Sequence, residues 1–140
     1  GFYAASEHYR EAGRLDLAVE FTMKAADGLI SQYGNHPSAT YDNALALASI
    51  LLNNYREYDK AEDVYRRAIA LRPASYAGVH ELAATLQAAN RPADARQAVL
   101  DYIEVYGTND SARADQEVLT GAMERRAQAT EEPPEVPTEP

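Results

Sequence analysis

Few side chains in this sequence could carry out catalysis or bind a metal ion. Cysteine is absent, and the histidines are His8, His36 and His80. Glu7 and Glu81 adjoin two of these histidines, but successive side chains on a helix point about 100° apart, so the pairs do not converge. His36 directly precedes a proline that can begin a helix, which favours a role in a turn. We therefore expect no catalytic, cofactor-binding or metal-binding residue and no enzyme activity.

Composition and charge exclude further classes of protein. The 140 residues carry a formal net charge of −9, and so acidic a chain lacks the clustered Lys and Arg that bind phosphates. No apolar run approaches the ~20 residues that span a membrane. We expect neither a nucleic-acid partner nor a membrane span. Residue 1 is Gly rather than Met, and the chain does not open with the basic start and apolar stretch of a signal peptide. We therefore interpret the chain as processed or as part of a longer protein. Our expectation for its location, which does not rest on the missing signal, is the cytoplasm.

Most of the chain has the composition of helices. Ala, Leu, Glu, Arg and Gln dominate residues 1–129, and Gly and Pro fall between the helical stretches. These breaks predict seven helices, near 2–12, 15–33, 37–54, 58–71, 75–89, 92–106 and 110–129. The short connections place consecutive helices side by side, which predicts an all-α array of antiparallel helices.

The last eleven residues differ from the rest. Residues 130–140 contain four of the seven prolines and four glutamates. Proline is excluded from helix interiors, and this segment has too little apolar surface to offset the entropy of ordering it. We therefore predict a disordered Pro/Glu tail that serves as a solvated linker. The alternative is that the tail docks in a groove of the same or a neighbouring chain.

An internal repeat relates four of the predicted helices. Ala61 and Ala95 each lie in the first turn of a predicted helix, and we call the separation between them the repeat interval. Matching residues flank both alanines at the spacing of a helix face. The first unit has Leu45, Ala48, Ser49, Leu52, Tyr65, Ala68 and Ile69, and the second has Val79, Leu82, Ala83, Leu86, Val99, Tyr102 and Ile103. Because small residues let two helices approach closely, we expect each alanine to pack against small residues of the helix before it.

The repeat interval and the residue types resemble those of the tetratricopeptide repeat (TPR) family. That family has a helix-turn-helix unit of about 34 residues, with small residues near its eighth, twentieth and twenty-seventh positions. Residues 42–75 and 76–109 carry this pattern at Ser49, Ala61, Ala68, Ala83 and Ala95. The second unit departs from this pattern at two positions. Tyr102 lies where the family usually has a small residue, and Gly107 lies where it often has a proline. The resemblance implies a right-handed α-solenoid of antiparallel helix hairpins.

An incomplete copy precedes these two units. Residues 1–41 have Ala18 at a small position, but the separation between Ala18 and Ala61 is longer than the repeat interval. The longer second helix, followed by the polar stretch 34–37, is similar to the extended repeats of kinesin light chain. We interpret residues 1–41 as a clipped repeat, so that the array covers residues 1–109.

The last predicted helix, 110–129, fits no repeat. A narrow apolar stripe lies beside charged side chains and consists of Val118, Leu119, Ala122 and Met123. Asp110 or Ser111 can cap its first turn. We expect this helix to cover the end of the array with one face and to meet water with the other. The alternative is a helix that mediates dimerisation.

The resemblance also implies a surface that binds a partner. In TPR proteins the first helix of each unit lines a concave groove, and here the matching positions hold mainly small residues and carboxamides. They are Asn43, Ala46, Ile50, Asn53 and Asn54 in one unit, and Ala77, His80, Ala84 and Gln87 in the next. A carboxamide can donate to and accept from a peptide backbone, and alanines leave room for it to approach. We therefore expect a non-enzymatic module that binds a partner protein or peptide.

Alternatives to this interpretation stay open. Asn53 and Asn54 could merely end their helix, because Asn tolerates the left-handed conformation. The array could be a self-associating scaffold that is joined through an apolar edge at Phe2, Tyr3 and Tyr9 or through its last helix. It could also be a regulatory domain of an enzyme whose catalytic part lies outside this sequence.

One partner class is disfavoured by charge. Some TPR domains hold the acidic C-termini of chaperones with a clamp of Lys, Asn and Arg. The matching positions of this chain include Glu7 and Glu81. These two acids would repel a terminal carboxylate, so we do not expect chaperone docking.

Overall fold

The structure is a computed structural model that describes residues 1–131. That part of the chain is all-α and contains seven helices and no strand: α1 (Phe2–Glu11), α2 (Leu15–Tyr33), α3 (Pro37–Tyr55), α4 (Tyr58–Leu71), α5 (Tyr76–Ala88), α6 (Pro92–Tyr106) and α7 (Asp110–Glu131). The predicted all-α class is confirmed, and each predicted helix end lies within two residues of the observed one. Helix α7 includes residues 130 and 131 of the predicted tail, and the rest of that tail lies outside the described residues.

Each helix packs against the helices that precede and follow it in the chain. Second neighbours also touch in three cases, α2 with α4, α3 with α5, and α5 with α7. The buried positions of α3 and α4 recur one repeat interval later in α5 and α6. The matching buried pairs are Leu45 and Val79, Ala48 and Leu82, Leu51 and Thr85, Ala61 and Ala95, and Tyr65 and Val99. The repeat seen in the sequence is therefore also a repeat of core positions.

The turns inside the three helix pairs share one unusual backbone conformation. Gly13, Arg56 and Asn90 all have positive φ angles, of 77°, 56° and 62°. These three residues are separated along the sequence by the same distances as the alanines Ala18, Ala61 and Ala95. A left-handed residue lets the chain leave one helix and enter the next while the last carbonyls keep hydrogen-bond partners. Arg56 and Asn90 hold this conformation despite their side chains.

The start of α5 rests on a tyrosine from α3. Tyr41, which is 2% exposed, accepts a hydrogen bond from the Gly78 backbone N–H at 2.7 Å and donates one to Ser75 Oγ at 2.9 Å. The Gly78 N–H lies in the first turn of α5, where a helix provides no acceptor of its own. The tyrosine hydroxyl therefore serves as the cap of a helix from the next unit.

Helix α7 begins at a different cap from the one expected. The Ala112 N–H donates to Asn109 Oδ1 at 2.8 Å, so the predicted caps Asp110 and Ser111 are wrong. The reason is that Asp110 is already the first helical residue, and a side chain caps a helix only from the preceding position. Helix α7 packs against α6 and α5, where Leu119 is buried with 2% exposure.

Replacing Gly78 by alanine should destabilise the fold. A Cβ at this position would lie 2.9 Å from Ile69 Cγ1 and 3.0 Å from Tyr41 Oη, and crowding of this kind costs about 1–3 kcal/mol. Urea unfolding of Gly78→Ala should show a lower free energy of unfolding than the wild type. Gly121→Ala is the matched control, because its Cβ would meet the flexible end of Arg125 at 3.3 Å and a helical alanine gains about 0.5–1 kcal/mol. Equal effects of the two substitutions would contradict the close contact at Gly78.

Replacing Arg56 by glycine should stabilise the chain by about 0.5–1 kcal/mol. Its φ of 56° places Cβ close to the following carbonyl oxygen, and glycine removes that strain although it costs entropy in the unfolded chain. Thermal unfolding followed by circular dichroism measures the effect. Arg56→Ala removes the same charge but keeps Cβ, so it should give no such gain. A stabilisation that alanine reproduces would mean that charge, not backbone strain, is responsible.

Candidate functional site

The nine residues expected to line a partner-binding groove lie on two helices that contact each other. Five are on α3 and four are on α5. Eight of them are exposed, and Ile50 is half-buried. The structure divides most of the set between two separate cavities, one on each side of this pair of helices.

The first cavity lies between α3 and the first helix pair. Asn43, Ala46 and Ile50 line it from α3, and Tyr3 joins from α1. Its remaining lining residues are aliphatic and come from α2 and α3: Ala25, Leu29 and Leu47. The cavity is open to solvent and has a volume of about 350 Å³. Its wall thus combines an apolar surface with the carboxamide of Asn43 and the hydroxyl of Tyr3.

The second cavity lies between α5 and α7 and is smaller. His80, Ala84 and Gln87 line it from α5, opposite Asp115 and Val118 of α7, and its volume is about 120 Å³. Helix α7 therefore covers one side of the predicted groove residues of α5. This end of the surface has less room for a ligand than the end beside α3.

The carboxylate of Asp115 connects α7 to α5. Asp115 Oδ2 accepts a hydrogen bond from the Tyr76 hydroxyl at 2.6 Å and lies 2.7 Å from His80 Nδ1. Burial raises the pKa of Tyr76, and the hydrogen bond to Asp115 and its negative charge raise it further. The predicted groove residue His80 is thus engaged within the chain. This contact could not be predicted from the sequence, because Asp115 is 35 residues away from His80 and only packing brings it near.

Three of the predicted groove residues lie outside both cavities. Asn53 Nδ2 donates to Ser49 Oγ at 2.9 Å, and Asn54 and Ala77 are exposed. The interpretation that the two asparagines end their helix is wrong, because α3 continues to residue 55 and Arg56 takes the left-handed position. The asparagine side chains stay on the exposed surface of α3.

A polar cluster that the sequence did not reveal lies between α3, α4 and α5. Tyr65 of α4 is 1% exposed, and burial raises its pKa to about 12, with a further contribution from the negative charge of Glu81. The hydroxyl groups of Ser49 in α3 and Thr85 in α5 oppose this rise in the pKa of Tyr65. Burial also raises the pKa of Glu81, and the charge of His80 opposes that shift only in part. The negative charge of Glu81, which lies beside the predicted groove, is therefore only partly compensated by its surroundings.

The described part of the chain contains neither a cluster of possible metal ligands nor a helix that could span a membrane. No group of three or more His, Cys, Asp or Glu side chains among residues 1–130 lies close enough together to hold a metal ion. Nor does any helix in this range have the length and apolarity needed to cross a membrane.

Two comparisons with known proteins found nothing similar to this chain. No family model matches the chain. No curated protein has a sequence similar enough to match it.

Replacing Glu81 by glutamine should stabilise the fold at pH 7. The folded-state pKa of Glu81 is raised above its usual 4.5, so the folded chain binds this proton more tightly than the unfolded chain does, and its ionisation costs stability as pH rises through the folded pKa. Urea unfolding between pH 3.5 and 8 measures the effect. The gain from Glu81→Gln should be present at pH 7, should shrink as the pH falls from the folded-state pKa toward 4.5, and should be absent below 4.5.

Glu62→Gln is the matched control with the opposite sign. Burial raises the pKa of Glu62, but hydrogen bonds from Arg91 and Arg66 outweigh it and lower the pKa overall. Its charged form therefore stabilises the fold above pH 4.5, so Glu62→Gln should lose stability at pH 7. A pH-independent gain for Glu81→Gln would show that its ionisation is not the cause.

Proposed function

We propose that residues 1–109 are a TPR-like, right-handed α-solenoid of helix hairpins, and that residues 110–129 cap its end. Three observations support this proposal. Buried positions recur at the repeat interval between the α3–α4 and α5–α6 pairs. The three left-handed turns keep the same spacing as the buried alanines. Helix α7 contacts only the last helix pair among the described residues, as a capping helix would.

We further propose that the chain is a non-enzymatic module that binds an extended peptide or a helix of a partner protein. The observation that carries this proposal is the open cavity of about 350 Å³ beside α3. Apolar side chains line most of it, while Asn43 supplies a polar group at its wall. Sites that bind peptides combine these two features, since pockets select side chains and a few polar groups orient the backbone.

Each residue of the cavity can be given a role toward such a peptide. The carboxamide of Asn43 can donate to a backbone carbonyl and accept from a backbone N–H at the same time. Ala46 has no side chain beyond Cβ, so the peptide backbone can approach α3 closely. Leu29 and Ile50 provide the apolar surface on which an aliphatic or aromatic side chain of the partner would rest.

Glu81 limits the charge of the peptide that this surface would accept. Its pKa is raised by burial, which means that its negative charge is poorly solvated. A donor group or a cation on the partner would relieve that cost, whereas a carboxylate would increase it. The proposed partner therefore presents N–H groups or basic side chains near α5 rather than an acidic C-terminus.

A self-associating scaffold remains the second candidate because of the aromatic surface of the first helix pair. Phe2 and Tyr3 are 49% and 47% exposed. Phe21 stacks with Tyr9 at 5.3 Å between ring centroids, and its centroid lies 6.2 Å from that of Phe2. Sedimentation equilibrium distinguishes the candidates, since a strict monomer at high concentration excludes the scaffold.

Introducing positive, bulky side chains into the groove should abolish partner binding. The test variant is Asn43→Arg combined with Gln87→Arg, which changes one residue of each cavity. Partners recovered by the immobilised wild type and identified by mass spectrometry should be lost. We expect affinities in the micromolar range, about −8 kcal/mol, so the loss is measurable by titration with a recovered partner.

A charge-matched control separates groove binding from a general effect of charge. Asn35→Arg combined with Gln32→Arg adds the same charges at exposed positions near the end of α2 and should leave binding unchanged. Circular dichroism verifies that both double variants stay folded. Partners that survive the groove substitutions in a folded protein would overturn the proposed function.

A further inference from the structure

A third cavity, outside the proposed groove, lies between α4, α5 and α6 and has a volume of about 280 Å³. Its apolar base is formed by Ile69, Val79, Leu82 and Ala98. Two aromatic rings, those of Tyr102 and Tyr106, line it from α6, and their centroids are 5.0 Å apart. The charged side chains at this cavity are Arg66 and Asp101.

The cavity lies at the position where the second unit departs from the first. Tyr102 occupies the place in the second unit that Ala68 has in the first, and Ala68 is completely buried. Helices α4 and α6, both fully described, do not bring any of their Cα atoms within 8 Å of each other. The equivalent helices of the preceding units, α2 and α4, do approach this closely. The Tyr102 ring is held in place, because its hydroxyl donates to the Ala74 carbonyl at 2.7 Å and its centroid lies 5.0 Å from that of Tyr76.

The two charged side chains at the cavity are not equally compensated. Arg66 forms an ion pair with Glu62 at 3.0 Å, and Glu62 also pairs with Arg91 at 2.7 Å. Because Arg91 pairs in turn with Asp94 at 2.8 Å, the two arginines face two carboxylates and the positive charge of Arg66 is balanced within this network. Asp101 accepts a hydrogen bond from the neutral amide of Gln97 at 2.7 Å, and it forms no ion pair with any side chain of residues 1–130. The faces of the tyrosine rings carry negative partial charge as well. The electrostatic preference of the cavity is therefore for a cation.

We propose that this cavity binds an arginine side chain of a partner protein. The aliphatic stem would lie on the apolar base, the planar guanidinium would stack on a tyrosine face, and its N–H groups would pair with the Asp101 carboxylate. Arginine fits better than lysine, because a guanidinium is planar and more weakly hydrated than an ammonium group. This second interaction surface does not depend on the proposed groove.

Peptides of equal length test the proposal by ¹H–¹⁵N NMR titration of the full chain. The probes are the capped tripeptides acetyl-Ala-Arg-Ala-amide, its citrulline analogue, which has the same shape without the charge, and its lysine analogue. The arginine peptide should shift the amide signals of Ala98, Asp101 and Tyr102 and should bind about tenfold more tightly than the citrulline peptide. Equal binding of arginine and citrulline would overturn cation recognition, and equal binding of arginine and lysine would overturn the assignment to arginine.

Substitutions at the cavity separate a built site from general attraction to an acidic protein. Asp101→Asn keeps the size of the side chain and should weaken arginine binding several-fold, whereas Asp42→Asn, at an exposed position of α3, should not. Tyr106→Leu should weaken binding, and Tyr106→Phe, which keeps the ring, should preserve it. Equal loss for Asp101→Asn and Asp42→Asn, or no loss for Tyr106→Leu, would overturn the proposal.

Discussion

The contact between the Tyr41 hydroxyl and the first turn of α5 fixes the relation between the two helices that carry the candidate groove. A buried hydroxyl must form hydrogen bonds, and the buried N–H of Gly78 in the first turn of α5 must find an acceptor outside its own helix. Tyr41 meets both requirements at once through Gly78 and Ser75. The absence of a side chain at Gly78 lets the two helices approach to this distance. The guanidinium of Arg72 lies over the Tyr41 ring, 5.4 Å from its centroid.

Helix positions followed from the sequence because local signals decide them. Gly and Pro mark most of the connections, and the flanking residues have the period of a helix face. Contacts between distant residues did not follow. Nothing in the spacing of His80 and Asp115, or of Tyr65 and Glu81, reveals that packing places them side by side. The nine candidate groove residues were found by their repeat positions, but their division between two cavities depends on where α7 packs, which the repeat pattern does not specify.

A repeat does not make its units equivalent, because a single position can change the surface around it. Ala68 is buried in the α3–α4 pair, whereas Tyr102 at the same position of the next pair lines a cavity beside Ile69 and Val79. A tyrosine side chain is too large for the place of a methyl group. It therefore turns toward the connection before α5, where the Ala74 carbonyl accepts a hydrogen bond from its hydroxyl. The departure from the repeat therefore changes the surface at this position and leaves a cavity lined by Tyr102.

The two ends of the candidate groove differ for an electrostatic and a steric reason. Near α5, helix α7 brings a carboxylate, Asp115, within hydrogen-bond distance of His80 and Tyr76, so polar groups there already have partners inside the chain. Near α3, the carboxamide of Asn43 has no α7 beside it and borders the larger cavity. Binding gains most where a surface offers room and polar groups whose partners are not yet fixed, because no internal contact must be broken first. A partner segment would therefore anchor beside α3 and extend toward α5, where Glu81 rather than His80 would set the preference for charge.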